Sequence, residues 1–167
     1  MNRKQTILVV EDALSDQLFI AEAFLANGVK NPVEVLNNGT EAIAYLQGKG
    51  KYADRKRFPY PAFIITDLKM PGGASGFEVL DYLRRTRDTG GPPAVVLTAS
   101  VDMDDVHKAY MLGAAGYFEK RPGFDSLKEL LKKLHDYWMA CQLPEMDENG
   151  RRVMTNAAGK LGERFLK

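Results

Sequence analysis

Four apolar segments of this chain each end on polar side chains that could act together on a phosphoryl group. The segments are residues 8–10, 63–66, 95–97 and 116–119, and the polar residues that follow or close them are Glu11 with Asp12, Asp67, Thr98 and Lys120. Helical patterns separate the segments, which predicts a parallel sheet, and ligands bind beyond the carboxyl ends of the strands in such sheets. Three carboxylates, a hydroxyl and an ammonium group are therefore expected to converge at one edge.

Asp67 is the candidate nucleophile, because a carboxylate can attack phosphorus and form an acyl phosphate. Taken alone, an aspartate after a strand is more typical of a turn or a helix cap. The agreement of the other strand ends with a phosphoryl site reverses that preference. Asp67 is therefore predicted to be the phosphoacceptor.

Glu11, Asp12 and Asp67 are predicted to meet, because the first and third strands are neighbours at the switch point of the sheet. Three carboxylates at such a distance repel one another, and at least one pKa would rise unless a cation lay between them. Magnesium suits an all-oxygen site that also receives a phosphate. A cap for the following helix is the alternative role, and Asp12 could serve both.

Three further residues are candidates with open alternatives. Lys120 could pair with Asp67 at rest and with phosphoryl oxygens after transfer, although a solvated surface lysine is the ordinary case. The Thr98 hydroxyl could bond a phosphoryl oxygen, but threonine is common in strands for other reasons. Tyr117 is equally well explained as a core aromatic residue or as part of a switch.

The composition indicates one globular domain without a general attraction to nucleic acid or membrane. The chain has 167 residues, of which 45% are apolar and 27% charged, with a net charge of +1. The single cysteine, Cys141, excludes an internal disulfide. No apolar run approaches the length of a membrane span, and the N-terminus does not resemble a signal peptide. A cytoplasmic location is predicted.

Five alternating strand and helix patterns predict an α/β fold, a doubly wound, flavodoxin-like sheet of five parallel strands in the order 2-1-3-4-5 with helices on both faces. The strands are expected at residues 6–10, 33–36, 62–66 and 95–97 and around Tyr117. The first helix is expected to be capped by Ser15 and to place Leu18, Ala21 and Leu25 on one face. The fourth is expected to start at Ser100 or Asp102. The last is expected to be capped by Asp125 and to bury Leu127, Leu130, Leu131, Leu134 and Trp138.

Residues 142–167 differ in composition and are predicted to form a C-terminal tail after a domain at 5–141. Apolar side chains in the tail recur at helical spacing: Met154, Ala157, Ala158, Leu161 and Phe165. An amphipathic helix that docks on the domain, a second copy or a partner is one interpretation. A frayed terminus explains the segment equally well.

The chain resembles a receiver domain of two-component response regulators over residues 5–141. The resemblance rests on VVED at 9–12, TDLKMP at 66–71, VLTAS at 96–100, GA at 113–114 and YFEK at 117–120. It implies that Asp67 is phosphorylated and that Thr98 and Lys120 contact the phosphoryl group. It also implies that Glu11, Asp12, Asp67 and the main-chain carbonyl of Lys69 bind Mg²⁺, and that Thr98 and Tyr117 form a switch.

A narrower resemblance is to the stand-alone regulators that serve phytochrome-type histidine kinases. It rests on GKGKYA at 48–53 and LHDYW at 134–138. It implies a signalling protein rather than an enzyme, which takes part in its own phosphotransfer and dephosphorylation. The implied partner is a sensor histidine kinase, for example a phytochrome-type photoreceptor, or a phosphotransfer protein. The implied output is through contact with another protein. A homodimer is left open.

Two departures from the family pattern leave an alternative function. Arg121 stands where receiver domains usually have a proline after the lysine, and Pro122 follows. Either the cis geometry moves to the Arg121–Pro122 bond or the peptide becomes trans, and both could displace Lys120. The loop 71–76 also has one residue more than usual. A pseudo-receiver, which binds partners without phosphorylation, is therefore the main alternative. A phosphohydrolase ranks lower, because Lys69 holds the place of its usual second acid.

Overall fold

The computed structural model of the protein describes residues 5–86, 91–143, 146, 147, 150 and 153. Within these residues strands and helices alternate along the chain. The strands are β1 Ile7–Val10, β2 Val33–Leu36, β3 Phe63–Thr66, β4 Ala94–Thr98 and β5 Gly116–Glu119. The helices are α1 Leu14–Ala26, α2 Gly39–Gln47, α3 Gly76–Arg85, α4 Met103–Met111 and α5 Phe124–Ala140, with a short 3-10 turn at Gly50–Tyr52. None of these helices is long and apolar enough to cross a membrane.

All five strands run parallel in the order β2-β1-β3-β4-β5, as predicted. The ladder of backbone hydrogen bonds continues one residue beyond the strands. The amide of Glu11 donates to the Leu36 carbonyl (2.9 Å), and the amide of Asp67 donates to the Val10 carbonyl (2.9 Å). The amide of Lys120 donates to the Thr98 carbonyl (2.8 Å). The polar residues after the strands are thus held in register at one edge.

Side chains of the strands alternate between two apolar layers, which explains why the strand sequences show no polar alternation. One layer joins the sheet to α2, α3 and α4 through buried residues that include Leu8, Ile64, Val96, Leu46, Leu80 and Ala109. The other joins it to α1 and α5 through residues that include Val9, Phe63, Leu97, Phe24, Leu131 and Trp138. The Trp138 ring stacks on Phe63 with centroids 5.5 Å apart.

Helix α1 turns the opposite face to the core from the one that its sequence suggested. Leu18 is 61% exposed, whereas Ile20 is 2% exposed and Ala23 and Phe24 are also buried. The helix begins at Leu14 after Ala13, which makes no side-chain cap bond, so the cap predicted at Ser15 is wrong. The face predicted from Leu18, Ala21 and Leu25 is therefore wrong, because apolar residues occur almost all round this helix and periodicity alone does not determine which face is buried.

For substitutions on the two faces of α1, the loss of stability should depend on burial and not on the number of atoms removed. Ile20→Val removes one methyl group from the core and is expected to cost about 0.5–1.5 kcal/mol. Leu18→Ala removes more atoms, but from an exposed side chain, and should change stability by less than about 0.5 kcal/mol. Urea unfolding of both variants checks this. A larger loss for Leu18→Ala would place that side chain in the core.

The remaining predicted helix starts have mixed outcomes. Asp102 caps α4, since its carboxylate accepts a bond from the Asp104 amide (2.9 Å). Asp125 does not cap α5, because that helix begins at Phe124 after Gly123, whose φ of 95° lies in the left-handed region. Of the predicted α5 face, Leu131, Leu134 and Trp138 are buried and Leu127 and Leu130 are half-buried. The proposed tail helix lies outside the described residues.

Candidate functional site

Three carboxylates meet at the carboxyl edge of the sheet, as the strand ends predicted. Glu11, Asp12 and Asp67 each offer an oxygen that lies within 4.8 Å of the other two. Glu11 is only 2% exposed, and Asp12 is half-buried. An all-oxygen donor set of this kind is the type that hard divalent cations prefer. The residues present therefore fit a magnesium-like ion.

Lys120 supplies positive charge to this carboxylate group. Its Nζ donates to Glu11 Oε2 (2.5 Å), Asp67 Oδ2 (2.8 Å) and Asp16 Oδ2 (2.8 Å). The resting pair of Lys120 and Asp67 expected from the sequence is therefore present. Every described peptide bond is trans, so Lys120 reaches the site without a cis bond at Arg121 or Pro122. With Arg121 in place of the usual proline, the lysine still contacts Asp67.

Burial and charge act in opposite directions on the titration of this cluster. Burial raises the pKa of Glu11, and the Asp67 charge raises it further, while Lys120 and the amide of Ala13 lower it. Burial alone would lower the pKa of Lys120, but the hydrogen bonds to Asp16, Asp67 and Glu11 outweigh that effect and raise it. Lys120 is therefore held firmly in its charged form.

Asp67 itself is fixed from two sides. Its Oδ1 accepts a hydrogen bond from the Leu68 amide (2.5 Å), which leaves Oδ2 directed at Lys120. Its backbone carbonyl accepts a bond from the Thr66 hydroxyl (2.8 Å). A Cβ on Gly76 would overlap that same carbonyl, so the loop 71–76 packs directly on the backbone of Asp67.

Thr98 and Tyr117 are linked to each other through Ser100. Thr98 is buried at the end of β4, and its Oγ1 accepts a long hydrogen bond from the Ser100 amide (3.4 Å). The half-buried Tyr117 donates its hydroxyl to the Ser100 carbonyl (3.0 Å). Burial raises the pKa of Tyr117, so its hydroxyl keeps its proton. Both side chains thus contact the β4–α4 loop at Ser100.

Sequence reasoning missed two residues of α1 that contact the site. Asp16 is the third carboxylate partner of Lys120. The Gln17 side chain donates to the Glu11 carbonyl (2.6 Å) and to Asn37 Oδ1 (3.0 Å). A signal existed, because both residues lie in the first turns of a helix that starts two residues after Asp12. The role of the Lys69 carbonyl stays a prediction, while its side chain forms an ion pair with Asp105 (3.2 Å).

Comparison with known proteins identifies the family. The sequence model for the response regulator receiver domain matches residues 7–132, which is most of the chain and contains every site residue discussed above. The chain belongs to the response regulator receiver domain family. Phosphorylation on an aspartate is the standard mechanism of receiver domains, and they bind a divalent metal at an acidic pocket such as the one formed by Glu11, Asp12 and Asp67.

Individual receiver proteins are similar over most of their length. Response regulator Rcp1 from Synechocystis sp. is 30% identical over 138 residues, which are 83% of this chain and 91% of Rcp1. The phosphorylated cyanobacterial phytochrome response regulator RcpA matches with a TM-score of 0.76 at 31% identity, over 85% of this chain and 99% of RcpA. The Mn²⁺-bound form of Rcp1 matches with a TM-score of 0.74 at 30% identity, over 84% and 99% of the two chains.

Proposed function

We propose that this receiver domain accepts a phosphoryl group on Asp67 from a phosphohistidine of a sensor histidine kinase or a phosphotransfer protein. The observation that carries the proposal is the placement of Asp67 Oδ2. That oxygen lies 2.8 Å from the Lys120 ammonium, and the Asp67 carboxylate lies beside those of Glu11 and Asp12. A nucleophilic oxygen, a fixed cation and an oxygen-rich metal site are the groups that phosphoryl transfer needs.

In the proposed reaction, Asp67 Oδ2 attacks phosphorus while the bond from phosphorus to the histidine nitrogen breaks. The bonding electrons return to the imidazole ring, and an acyl phosphate forms on Asp67. A bound Mg²⁺ on Glu11, Asp12, Asp67 and the Lys69 carbonyl would offset the charge of the transferring group. Lys120 donates to the phosphoryl oxygens as it leaves Asp67. Attack of water on phosphorus later restores the free carboxylate and releases phosphate.

The proposed response to phosphorylation begins at Thr98. A phosphoryl dianion offers new acceptors to the Thr98 hydroxyl, which would then give up its long bond from the Ser100 amide. Tyr117 donates to the Ser100 carbonyl and is therefore expected to move with that loop. The surface of α4 and β5 would change for a protein partner. This is a local charge event that shifts a two-state element.

The partner proposed for this chain is a kinase of the phytochrome type. The support is the similarity to RcpA, a phytochrome response regulator, over 85% of the chain. We also propose the domain boundary at 5–141, a cytoplasmic location and autodephosphorylation, all of which stay predictions.

Intact-mass analysis after incubation with acetyl phosphate tests the proposed function. With Mg²⁺ the protein should gain the mass of one phosphoryl group, and without Mg²⁺ the gain should be lost. Asp67→Asn should show no gain, because an amide oxygen is a far poorer nucleophile than a carboxylate. Asp125→Asn changes the same groups at an exposed position of α5 and should be phosphorylated like the wild type.

Failure of the wild type to gain mass would favour the pseudo-receiver, provided that Mg²⁺ also fails to bind in a calorimetric titration. Phosphorylation of Asp67→Asn at the normal rate would place the phosphoacceptor elsewhere. The structure gives the pseudo-receiver little support, because Lys120 contacts Asp67 despite the change to Arg121.

A further inference from the structure

A polar network connects the loop after the phosphoacceptor with the first turn of α4. Lys69 Nζ lies 3.2 Å from Asp105 Oδ2. The same Asp105 oxygen accepts a hydrogen bond from Ser100 Oγ (2.6 Å). Ser100 in turn contacts Thr98 and Tyr117 through its amide and carbonyl. Asp105 is thus the point where the β3–α3 loop, the β4–α4 loop and helix α4 meet.

The ion pair of Lys69 with Asp105 connects a residue close in sequence to the proposed phosphoacceptor with helix α4. Lys69 follows Asp67 by two residues and lies in the β3–α3 loop, which begins at the proposed phosphoacceptor. Asp105 belongs to α4, whose surface is expected to change on phosphorylation. One ion pair therefore joins the chemical site to the helix that would report it.

We propose that Asp105 is a positioning residue that holds α4 in the resting arrangement by engaging Lys69 and Ser100. A phosphoryl group on Asp67 competes for the Lys69 ammonium and draws it away from Asp105. Asp105 then loses its contact with Lys69, while Ser100 moves with Thr98. This inference rests on the proposed function and adds to it a route from Asp67 to α4.

The strengths of the two interactions suit such an exchange. The Lys69 side chain is 69% exposed and that of Asp105 is 19% exposed, so their attraction is weakened by water and salt. A phosphoryl dianion carries more charge than one carboxylate and can displace it. A tight buried pair would block the change, whereas a weak pair shifts the balance of two states by a small factor.

Binding of beryllofluoride, which forms a phosphoryl mimic on a carboxylate, tests the inference in the full-length chain. Removing the resting contact with Asp105→Asn should raise the apparent affinity for beryllofluoride about two- to five-fold, because an exposed ion pair contributes little. The Mg²⁺ affinity measured without beryllofluoride should stay unchanged. Asp104→Asn removes an equal charge from the same helical turn and should leave both affinities unchanged, because its side chain contacts no partner in the part of the chain that is described.

The Lys69→Met background separates the ion pair from the Ser100 bond. In that background Asp105→Asn should leave the apparent affinity for beryllofluoride about unchanged, since no Lys69 ammonium remains to be released. The inference would be overturned if Asp105→Asn raised the beryllofluoride affinity equally in both backgrounds, or if it raised that affinity no more than Asp104→Asn does. Either result would leave the proposed function standing. Absence of beryllofluoride binding to the wild type with Mg²⁺ would instead overturn the proposed function.

Discussion

Lys120→Met should destabilise the protein by about 3–5 kcal/mol in the absence of divalent cations, as expected when one member of a buried ion pair is removed. Lys120 is 15% exposed and contacts Glu11, Asp16 and Asp67. Methionine fills a similar volume but leaves these carboxylates facing one another without a cation. Glu11 bears the largest cost, because it is buried and has little access to water.

Magnesium should recover much of this loss, and more in the variant than in the wild type. A ligand that binds the folded state stabilises it by about 2.7 kcal/mol at one hundred times its dissociation constant. In the wild type Lys120 already offsets part of the carboxylate charge, whereas in the variant the ion meets the full charge. Urea unfolding with EDTA and with excess Mg²⁺ measures both values. Phosphorylation by acetyl phosphate should remain at least about a hundred-fold slower, because the fixed cation at the transferring group is missing.

Lys132→Met is the matched control for this experiment. Lys132 pairs with Asp136 on α5, but both side chains are more than half exposed, so the change should cost less than about 0.5 kcal/mol. Its stability should respond to Mg²⁺ like that of the wild type. The loss of stability from Lys120→Met could prove as small as that of the control, or Mg²⁺ could stabilise the variant no more than the control. Either result would show that Glu11, Asp12 and Asp67 do not form a charge-coupled cation site.

The site could be predicted from the sequence because strand ends carry positional information. Glu11, Asp67 and Lys120 each follow a short apolar run, and parallel strands bring such positions to one edge. The order of the strands then decides which residues are neighbours, and β1 pairs with β3 in the structure. Lys120 reaches the same edge although Arg121 follows it, since β5 and the bond from its amide to the Thr98 carbonyl hold its backbone there.

Contacts that depend on tertiary packing could not be read in the same way. Helix α1 carries apolar residues on two faces, and only its packing on α5 decides that Phe24 faces the core while Leu25 faces water. Asp16 gains its partner because that choice rotates it toward Lys120. The contact of Lys69 with Asp105 joins the loop after β3 to the first turn of α4, two segments that are far apart in the sequence. Local rules describe each element, but the rotation of a helix about its axis is set by its neighbours.

Gly76→Ala should destabilise the protein by about 2–3 kcal/mol, the upper part of the usual range for an overpacked interior position. Gly76 is the first residue of α3, where alanine would ordinarily favour the helix by about 1 kcal/mol. The predicted sign is the reverse, because the new Cβ would overlap the Asp67 carbonyl oxygen and lie 3.0 Å from the Leu68 Cα. These are backbone atoms of the strand end and cannot rotate away as a side chain could.

The same substitution should slow phosphorylation by about 10- to 100-fold, because a displacement of about 1 Å at a reacting group has an effect of that size. Urea unfolding and the acetyl phosphate assay measure the two effects. Gly91→Ala is the matched control, since among the described residues its Cβ would come closest to the flexible Cδ2 end of Leu83, at 3.2 Å, and would meet the Leu83 backbone oxygen only at an ordinary contact distance of 3.8 Å. It should change stability by less than about 0.5 kcal/mol and leave phosphorylation unaffected. A Gly76→Ala protein as stable and as active as this control would show that the loop yields, and that Asp67 is positioned by β3 alone.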